Sequence, residues 1–250
     1  MEGMHIVESV LRWVHVVAGV LWIGLLYFFN FVNASFAATM DADTKKKVVP
    51  ELMPRTLYFF RWGAAWTWVT GVLLLAIVYY HDKYMYESGK GFDAMTAVVL
   101  AVTFLGVLLY DALMKQIKQP QGQFWIGFVL ASAVAVFFLK SGASYRGAAI
   151  HLGALFGTNM AFNVWMRIWP AQQKIIAAVK SGQAPDGALV ALAGGRSKHN
   201  TYMSVPLIFL MLTQHMTWAA SKIWALPATI LVGWLAVYVL YAKAKQLKGF

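Results

Sequence analysis

The sequence predicts an all-α membrane protein, a bundle of about seven transmembrane helices. Hydrophobic residues make up 60% of the 250 residues and charged residues only 12%, against roughly 45–50% and ~25% in soluble domains. A soluble domain of this length could not bury so much apolar surface. The same composition excludes intrinsic disorder.

Seven segments approach the ~20 apolar residues that a spanning helix needs. They are, in order, Ser9–Phe29, Leu57–Tyr80, Ala94–Met114, Phe124–Lys140, Gly147–Trp169, Met203–Lys222 and Trp224–Ala242. The first is expected to be a retained helix, because residues 1–8 carry acidic groups and no cleavage-site pattern. The long connection 170–200 contains an amphipathic stretch, 171–179, that we expect to lie along the membrane surface. We predict a single transmembrane domain, residues 1–250.

The loop charges predict that the N-terminus is outside and the C-terminus inside. In this orientation the inner segments hold fourteen lysines and arginines and the outer loops five, and basic residues favour the cytoplasmic side. The net charge of +11 is explained in the same way, so we expect contact with the lipid bilayer and none with nucleic acid. We expect the bacterial plasma membrane.

Several classes of redox centre are excluded because the sequence has no Cys. Thiolate zinc sites, iron–sulfur clusters and covalently attached c-type haem all need that residue. Any redox metal must be held by His, Met or carboxylate.

Three histidines are expected at a similar depth in the outer half of the membrane. His15, His151 and His215 lie ~9, ~6 and ~10 Å from the outer ends of their segments at 1.5 Å per residue. His81 lies at the outer end of the second segment. Ionisable residues in a bilayer usually face the bundle interior. Two neutral imidazoles are the usual axial ligands of a low-spin b-type haem.

We therefore expect haem b, with His15, His151, His215 and His81 as candidate ligands. The pairing of ligands and the number of haems stay open. The alternative is that each His only forms hydrogen bonds between helices.

A second polar group is expected in the inner half. Asn159, Asn163 and Arg167 recur every four residues and form one stripe on the fifth segment. His199 and Asn200 are expected to begin the sixth, and Arg61 lies one turn into the second. Together they predict a pocket for a planar, anionic, hydrogen-bonding small molecule, because Arg offers a charged fork and Asn both donates and accepts. The alternative is that the arginines reach the headgroups and the asparagines join helices.

Asp111 is expected to pair with Lys115 four residues later, and we assign it no role as a proton relay.

Three stretches resemble one known family. They are Trp13-Val-His15-Val-Val-Ala-Gly19-Val-Leu-Trp22-Ile-Gly24, Asn163-Val-Trp-Met-Arg167-Ile-Trp-Pro170-Ala-Gln172, and Ser197-Lys-His199-Asn200-Thr-Tyr202-Met203-Ser-Val-Pro206. They resemble the membrane domain of bacterial membrane-bound urate oxidase, also called urate hydroxylase. The third stretch is the most specific.

This resemblance implies a membrane oxidoreductase linked to purine oxidation. Full-length members carry a C-terminal c-type cytochrome domain with a Cys-x-x-Cys-His motif, which this sequence lacks. We therefore expect a haem redox protein that oxidises urate or a similar small acid. Its electrons would pass to a separate cytochrome c or a quinone, and other membrane subunits could assist. The alternative function is non-redox, either a permease or an anchoring subunit of a larger membrane complex.

Overall fold

The computed structural model describes residues 2–213, 217–219 and 222–247. It is 86% helical, and the described residues form seven long helices and no strand. The predicted all-α class and helix number are confirmed. The orientation of the termini stays a prediction.

We number the long helices α1 to α7. They are α1 (Gly3–Thr39), α2 (Ala42–His81), α3 (Ala94–Gln116), α4 (Pro120–Lys140), α5 (residues 145–180), α6 (Gly187–Met211) and α7 (Ala225–Ala244). Five of them, α1 to α4 and α7, are long and apolar enough to cross a membrane. The other two, α5 and α6, carry most of the buried polar side chains.

Side-chain caps fix where several helices begin. Asp41, Asp93, Ser144 and Asp186 each accept a hydrogen bond from a backbone N–H in the first turn that follows. Such a bond satisfies a donor that the helix itself leaves unpaired. At α3, hydrogen bonds from the Lys90 ammonium and from Thr96 hold the pKa of the Asp93 carboxyl well below its ordinary value.

Several predicted boundaries are wrong. Helix α2 begins at Ala42, well before Leu57, and α1 continues to Thr39, beyond Phe29. Helix α6 runs from Gly187 to Met211, where Met203–Lys222 was predicted. The predicted loop 170–200 is therefore mostly helical, and its amphipathic stretch continues α5 as far as residue 180. Tertiary packing and the Asp186 cap overcome the weak helix propensity of Gly194 and Gly195.

The helices alternate in direction, so each polar group lies near one end of the bundle. We call the end with the loop between α2 and α3 the 82–93 end, and the opposite one the Asp111 end. Helix α5 packs against α2, α3, α4 and α6, and α1 packs mainly along α2. Helices α6 and α7 approach closely, because a Cβ on Gly233 would lie 2.7 Å from Pro206 Cδ.

Three π-helical turns interrupt the long helices, at Phe28–Asn33 in α1, Leu75–His81 in α2 and Asn163–Ile168 in α5. Such turns are rare and often occur at functional sites. The first and third lie towards the Asp111 end and the second at the 82–93 end. The second contributes Tyr80 and His81, and the third contributes Asn163 and Arg167, to the polar groups described next.

Candidate functional site

A buried carboxylate collects three cations at the Asp111 end. Asp111 in α3 accepts from Arg167 of α5, with Nε at 2.9 Å and Nη2 on the second oxygen. It also accepts from Arg196 Nη2 of α6 at 2.8 Å and from Lys115 Nζ at 2.8 Å. The residues Asp111 and Arg196 are only 6% and 4% exposed. One negative charge faces three positive ones, so the cluster keeps an excess of positive charge. The predicted pairing of Asp111 with Lys115 is confirmed.

A chain of neutral hydrogen bonds runs beside this cluster. Asn163 Nδ2 donates to the Tyr110 hydroxyl and to Asn200 Oδ1, each at 2.8 Å. His199 contacts the Tyr110 hydroxyl through Nδ1 and Gln123 Oε1 through Nε2, both at 3.0 Å. The Arg196 guanidinium lies 5.2 Å from the centre of the Tyr110 ring. The cation cluster and the neutral chain therefore form one network, which we call the Asp111 network.

The Asp111 network contains buried polar atoms without a partner among the described residues. They are Arg196 Nη1, Asn163 Oδ1 and the neighbouring Asn159 Oδ1. Asn159 and Asn163 are one turn apart on α5, and Arg196 and Asn200 one turn apart on α6. Because Asn163 bonds to Asn200, the two pairs face each other. A buried unpaired polar atom costs free energy, so one donor and two acceptors stay unsatisfied inside the protein here.

Four of the six predicted pocket residues belong to this network: Asn163, Arg167, His199 and Asn200. Asn159 is adjacent on the same helix face. Arg61 lies elsewhere, with its guanidinium 4.0 Å from the centre of the Trp169 ring. The structure also corrects the position of His199, which lies in the middle of α6 rather than at its start.

Sequence reasoning missed Arg196, Tyr110 and Gln123. Arg196 was assigned to a loop, although it lies four residues before Asn200, the spacing that places two residues on one helix face. Tyr110 and Gln123 carried no motif. Their role depends on how α3 and α4 pack against α6, which the sequence does not show.

His15 is arranged like an oriented metal ligand. Its Nδ1 lies 3.1 Å from Thr70 Oγ1, and that hydroxyl donates to Trp66 O at 2.6 Å. The Thr70 oxygen therefore accepts from Nδ1–H, which leaves Nε2 without a hydrogen bond among the described residues. Ligating histidines commonly have one ring nitrogen held in this way. Gly71 gives the ring room, since a Cβ there would lie 3.0 Å from His15 Cε1.

His151 is fully buried and both of its ring nitrogens are engaged. Nδ1 donates to Gly147 O at 2.7 Å, and Nε2 accepts from the Tyr80 hydroxyl at 2.6 Å. The rings of Tyr79, Tyr80 and Phe138 meet it edge-on, with centroids 5.7–6.3 Å away. Both ring nitrogens of His151 are therefore occupied, and a haem iron would have to displace the Tyr80 hydroxyl from Nε2.

The predicted ring of histidines at one depth is not formed by the described residues. His15 faces Thr70 and His151 faces Tyr80, which are ten residues, or about 15 Å, apart along α2. His81 is exposed and bonds to its neighbour Asp82 through Nδ1 at 2.8 Å. His215 lies outside the described residues. No group of three or more His, Cys, Asp or Glu is placed to hold a metal ion within the described ranges.

A comparison with protein families gives a match to the urate oxidase N-terminal family over residues 40–248. This chain belongs to that family. The matched region contains the whole Asp111 network and the two more specific stretches of the resemblance. It begins after α1, so the stretch around His15 lies outside it. Neither a curated protein nor a solved structure matches the chain.

Family membership, the helical fold and the apolar spans together indicate a multi-pass membrane protein related to urate chemistry.

Proposed function

We propose that this protein binds urate or a similar planar small acid at the Asp111 network and oxidises it. The observation that carries the proposal is the unpartnered set formed by Arg196 Nη1, Asn159 Oδ1 and Asn163 Oδ1. An anionic purine offers ring N–H donors to the two amide oxygens and an acceptor to the guanidinium. The excess positive charge of the cluster favours an anion.

The network residues would bind and orient the ring. Arg196 supplies a charged donor inside a site shielded from water, where electrostatic attraction is stronger than in solution. The backbone supports the amides, because Asn200 Nδ2 donates to Met160 O at 3.0 Å. Asp111 holds both arginines by hydrogen bonds and so acts as a positioning residue.

The proposal includes a separate electron acceptor, a cytochrome c or a quinone, and a plasma-membrane location in a bacterium. Haem b is retained in it only through His15, the one predicted ligand among the described residues that is half-buried and has a ring nitrogen without a hydrogen bond. A haem there would supply one-electron transfer between the substrate and the acceptor.

Urate titration of the purified full chain in detergent tests the substrate site. Asn159→Leu should weaken urate binding about tenfold without lowering thermal stability, since no protein partner of Asn159 Oδ1 is lost. Arg55→Gln is the matched control at the same end, because Arg55 is exposed and pairs only with Glu51. Unchanged urate affinity in Asn159→Leu would contradict the proposed site.

The visible spectrum with and without dithionite tests the redox part. A haem absorption band that changes on reduction should be present and should be lost or shifted in His15→Ala, while His81→Ala serves as the exposed control. His199→Ala should leave the band intact and impair reduction by urate. A colourless preparation from haem-replete cells that still binds urate would favour the non-redox alternative, a permease or an anchoring subunit.

A further inference from the structure

Arg61 lies where α2 leaves the apolar part of its length. Helix α2 has 40 residues, which is about 60 Å at 1.5 Å per residue and about twice the ~30 Å of a bilayer's hydrocarbon core. Residues 42–56 hold six charged side chains, and residues 57–80 hold Arg61 alone. Counting about 20 residues back from His81 also reaches residue 61. Arg61 therefore lies at one edge of the hydrocarbon core, beside the level of the lipid phosphates.

Three aromatic rings surround the Arg61 guanidinium. Its carbon Cζ lies 4.0 Å from the centre of the Trp169 ring, 5.6 Å from that of Tyr58 and 5.7 Å from that of Trp165. Trp165 is itself fixed, because its Nε1 donates to Arg61 O at 3.1 Å and its ring meets that of Trp62 edge-on. Stacking on rings holds the face of a guanidinium and leaves the N–H groups in its plane free to donate.

The Arg61 side chain forms no hydrogen bond and no ion pair with any described residue. Its Nε is buried without a partner, while Nη1 and Nη2 lack a partner but are not shut off from the surface. A guanidinium has five N–H donors, and a charge without a partner is costly at this depth in a membrane. We therefore expect an acceptor from outside the protein at the Nη1 and Nη2 end.

The surface around this end suits a lipid. Tyr58, Trp62 and Met166 are 50%, 42% and 57% exposed, and Trp and Tyr are typical of the boundary between headgroups and acyl chains. The nearest carboxylate on α2 is Glu51, about 15 Å away along the helix, and it already pairs with Arg55. An ammonium headgroup therefore finds no counter-charge on α2, which favours a headgroup with a net negative charge.

We propose that Arg61 binds the phosphate of an anionic phospholipid through Nη1 and Nη2. The fork of a guanidinium matches two oxygens of one phosphate. The rings of Tyr58 and Trp62 then lie against the glycerol and the upper part of the acyl chains. The four features that carry this assignment are the depth of Arg61, its stacked guanidinium, its unbonded donors and the exposed aromatic surface beside it.

This lipid site adjoins the Asp111 network without sharing its bonds. Asn163 and Arg167 bond to residues of α3, whereas Trp165, which lies between them on α5, bonds to α2. Replacing Arg61 therefore leaves the bonds of the network in place. Urate binding by an Arg61 variant should match that of wild type, so the two proposals can fail separately.

Native mass spectrometry of the full chain in detergent, with phosphatidylglycerol or phosphatidylcholine added, tests this proposal. Wild type should retain phosphatidylglycerol in preference to phosphatidylcholine. Arg61→Gln should raise the phosphatidylglycerol concentration needed for half occupancy about tenfold, because two charged hydrogen bonds are lost. Arg61→Lys should also bind more weakly than wild type, since an ammonium lacks the fork. Arg55→Gln is the matched control, because Arg55 is exposed and pairs with Glu51.

Three results would overturn the proposal: unchanged phosphatidylglycerol binding in Arg61→Gln, equal retention of both lipids by wild type, or displacement of phosphatidylglycerol by an equal concentration of glycerol phosphate. The last would show a site for free phosphate rather than for a lipid. If Arg61→Gln does not fold, Arg61→Lys decides, and binding equal to wild type in that variant would contradict the paired donation to one phosphate.

Discussion

Asp111→Asn should destabilise the protein strongly, because it leaves a buried arginine without its counter-charge. The carboxylate joins α3, α5 and α6 through Lys115, Arg167 and Arg196. An amide of the same shape accepts fewer hydrogen bonds and carries no charge. The size of the destabilisation depends on how each of the three cations responds to the loss of the negative charge.

The exposure of the three cations decides the magnitude. The side chain of Lys115 is 57% exposed, so its pair contributes at most about 1 kcal/mol. The Arg167 side chain is 26% exposed and can extend its head towards water. The Arg196 side chain is only 4% exposed, and breaking a buried pair costs about 3–5 kcal/mol. The Arg196 pair therefore dominates.

Thermal unfolding in detergent, followed by the fraction of protein that remains monodisperse, measures the effect. A loss of about 3–5 kcal/mol corresponds to a fall in Tm of roughly 6–20 °C at about 2–4 °C per kcal/mol. Lys115→Gln is the matched control and should lower Tm by no more than about 4 °C.

A second substitution separates the buried-charge argument from general damage to the helix. Arg196→Met in the Asp111→Asn background removes the orphaned charge, and we expect it to restore much of the lost stability. Equal Tm values for Asp111→Asn and Lys115→Gln, or no recovery in the double variant, would refute the reasoning.

The remaining predictions concern close packing and topology. Gly147→Ala should destabilise the 82–93 end by about 1–3 kcal/mol, because its Cβ would lie 2.6 Å from Met85 O; Gly157→Ala, with its nearest neighbour 3.7 Å away, is the control for thermal unfolding. Gly233→Ala should destabilise the contact of α6 with α7 by a similar amount, since Pro206 cannot move aside, and an unchanged Tm would contradict that packing. A reporter fused after the last residue should be active as a cytoplasmic protein and silent as a periplasmic phosphatase.

The sequence predicted the number and class of the helices, because long apolar runs leave few alternatives in a membrane. It failed where helices are polar. Residues 187–202 contain three glycines, two basic residues and a serine, and local propensity favoured a loop there. The structure makes them helical, since Arg196 and Asn200 find buried partners on α3 and α5.

The candidate site was predicted only in part, because spacing within one helix can be read from the sequence and packing between helices cannot. The stripe Asn159–Asn163–Arg167 follows from helical spacing on a single element. The predicted histidine ring required the relative depth of histidines on different helices. Those depths were counted from predicted segment ends, which do not fix how the helices are placed against one another. The depth of each histidine also depends on π turns and on local partners such as Thr70 and Tyr80.

The position of the ring proton of His199 follows from the backbone carbonyl of Ile117, which lies at the edge of the Asp111 network. Gln123 Nε2 donates to Ile117 O at 2.7 Å, so Gln123 Oε1 faces His199 as an acceptor. His199 must then carry its proton on Nε2, and its Nδ1 accepts from the Tyr110 hydroxyl. The Tyr110 oxygen in turn accepts from Asn163.

This chain of donors predicts the effect of Gln123→Leu. The change removes the acceptor of the Nε2 proton and leaves His199 with an unpaired buried N–H, which should cost about 1–3 kcal/mol. Gln121→Leu is the matched control, because Gln121 is exposed in the same first turn of α4. In ¹⁵N spectra the wild-type ring should show one fixed tautomer, protonated at Nε2. Gln123→Leu should lose that single signal. A wild-type ring that exchanges between tautomers would refute the assigned direction of the bonds that join Gln123, His199 and Tyr110.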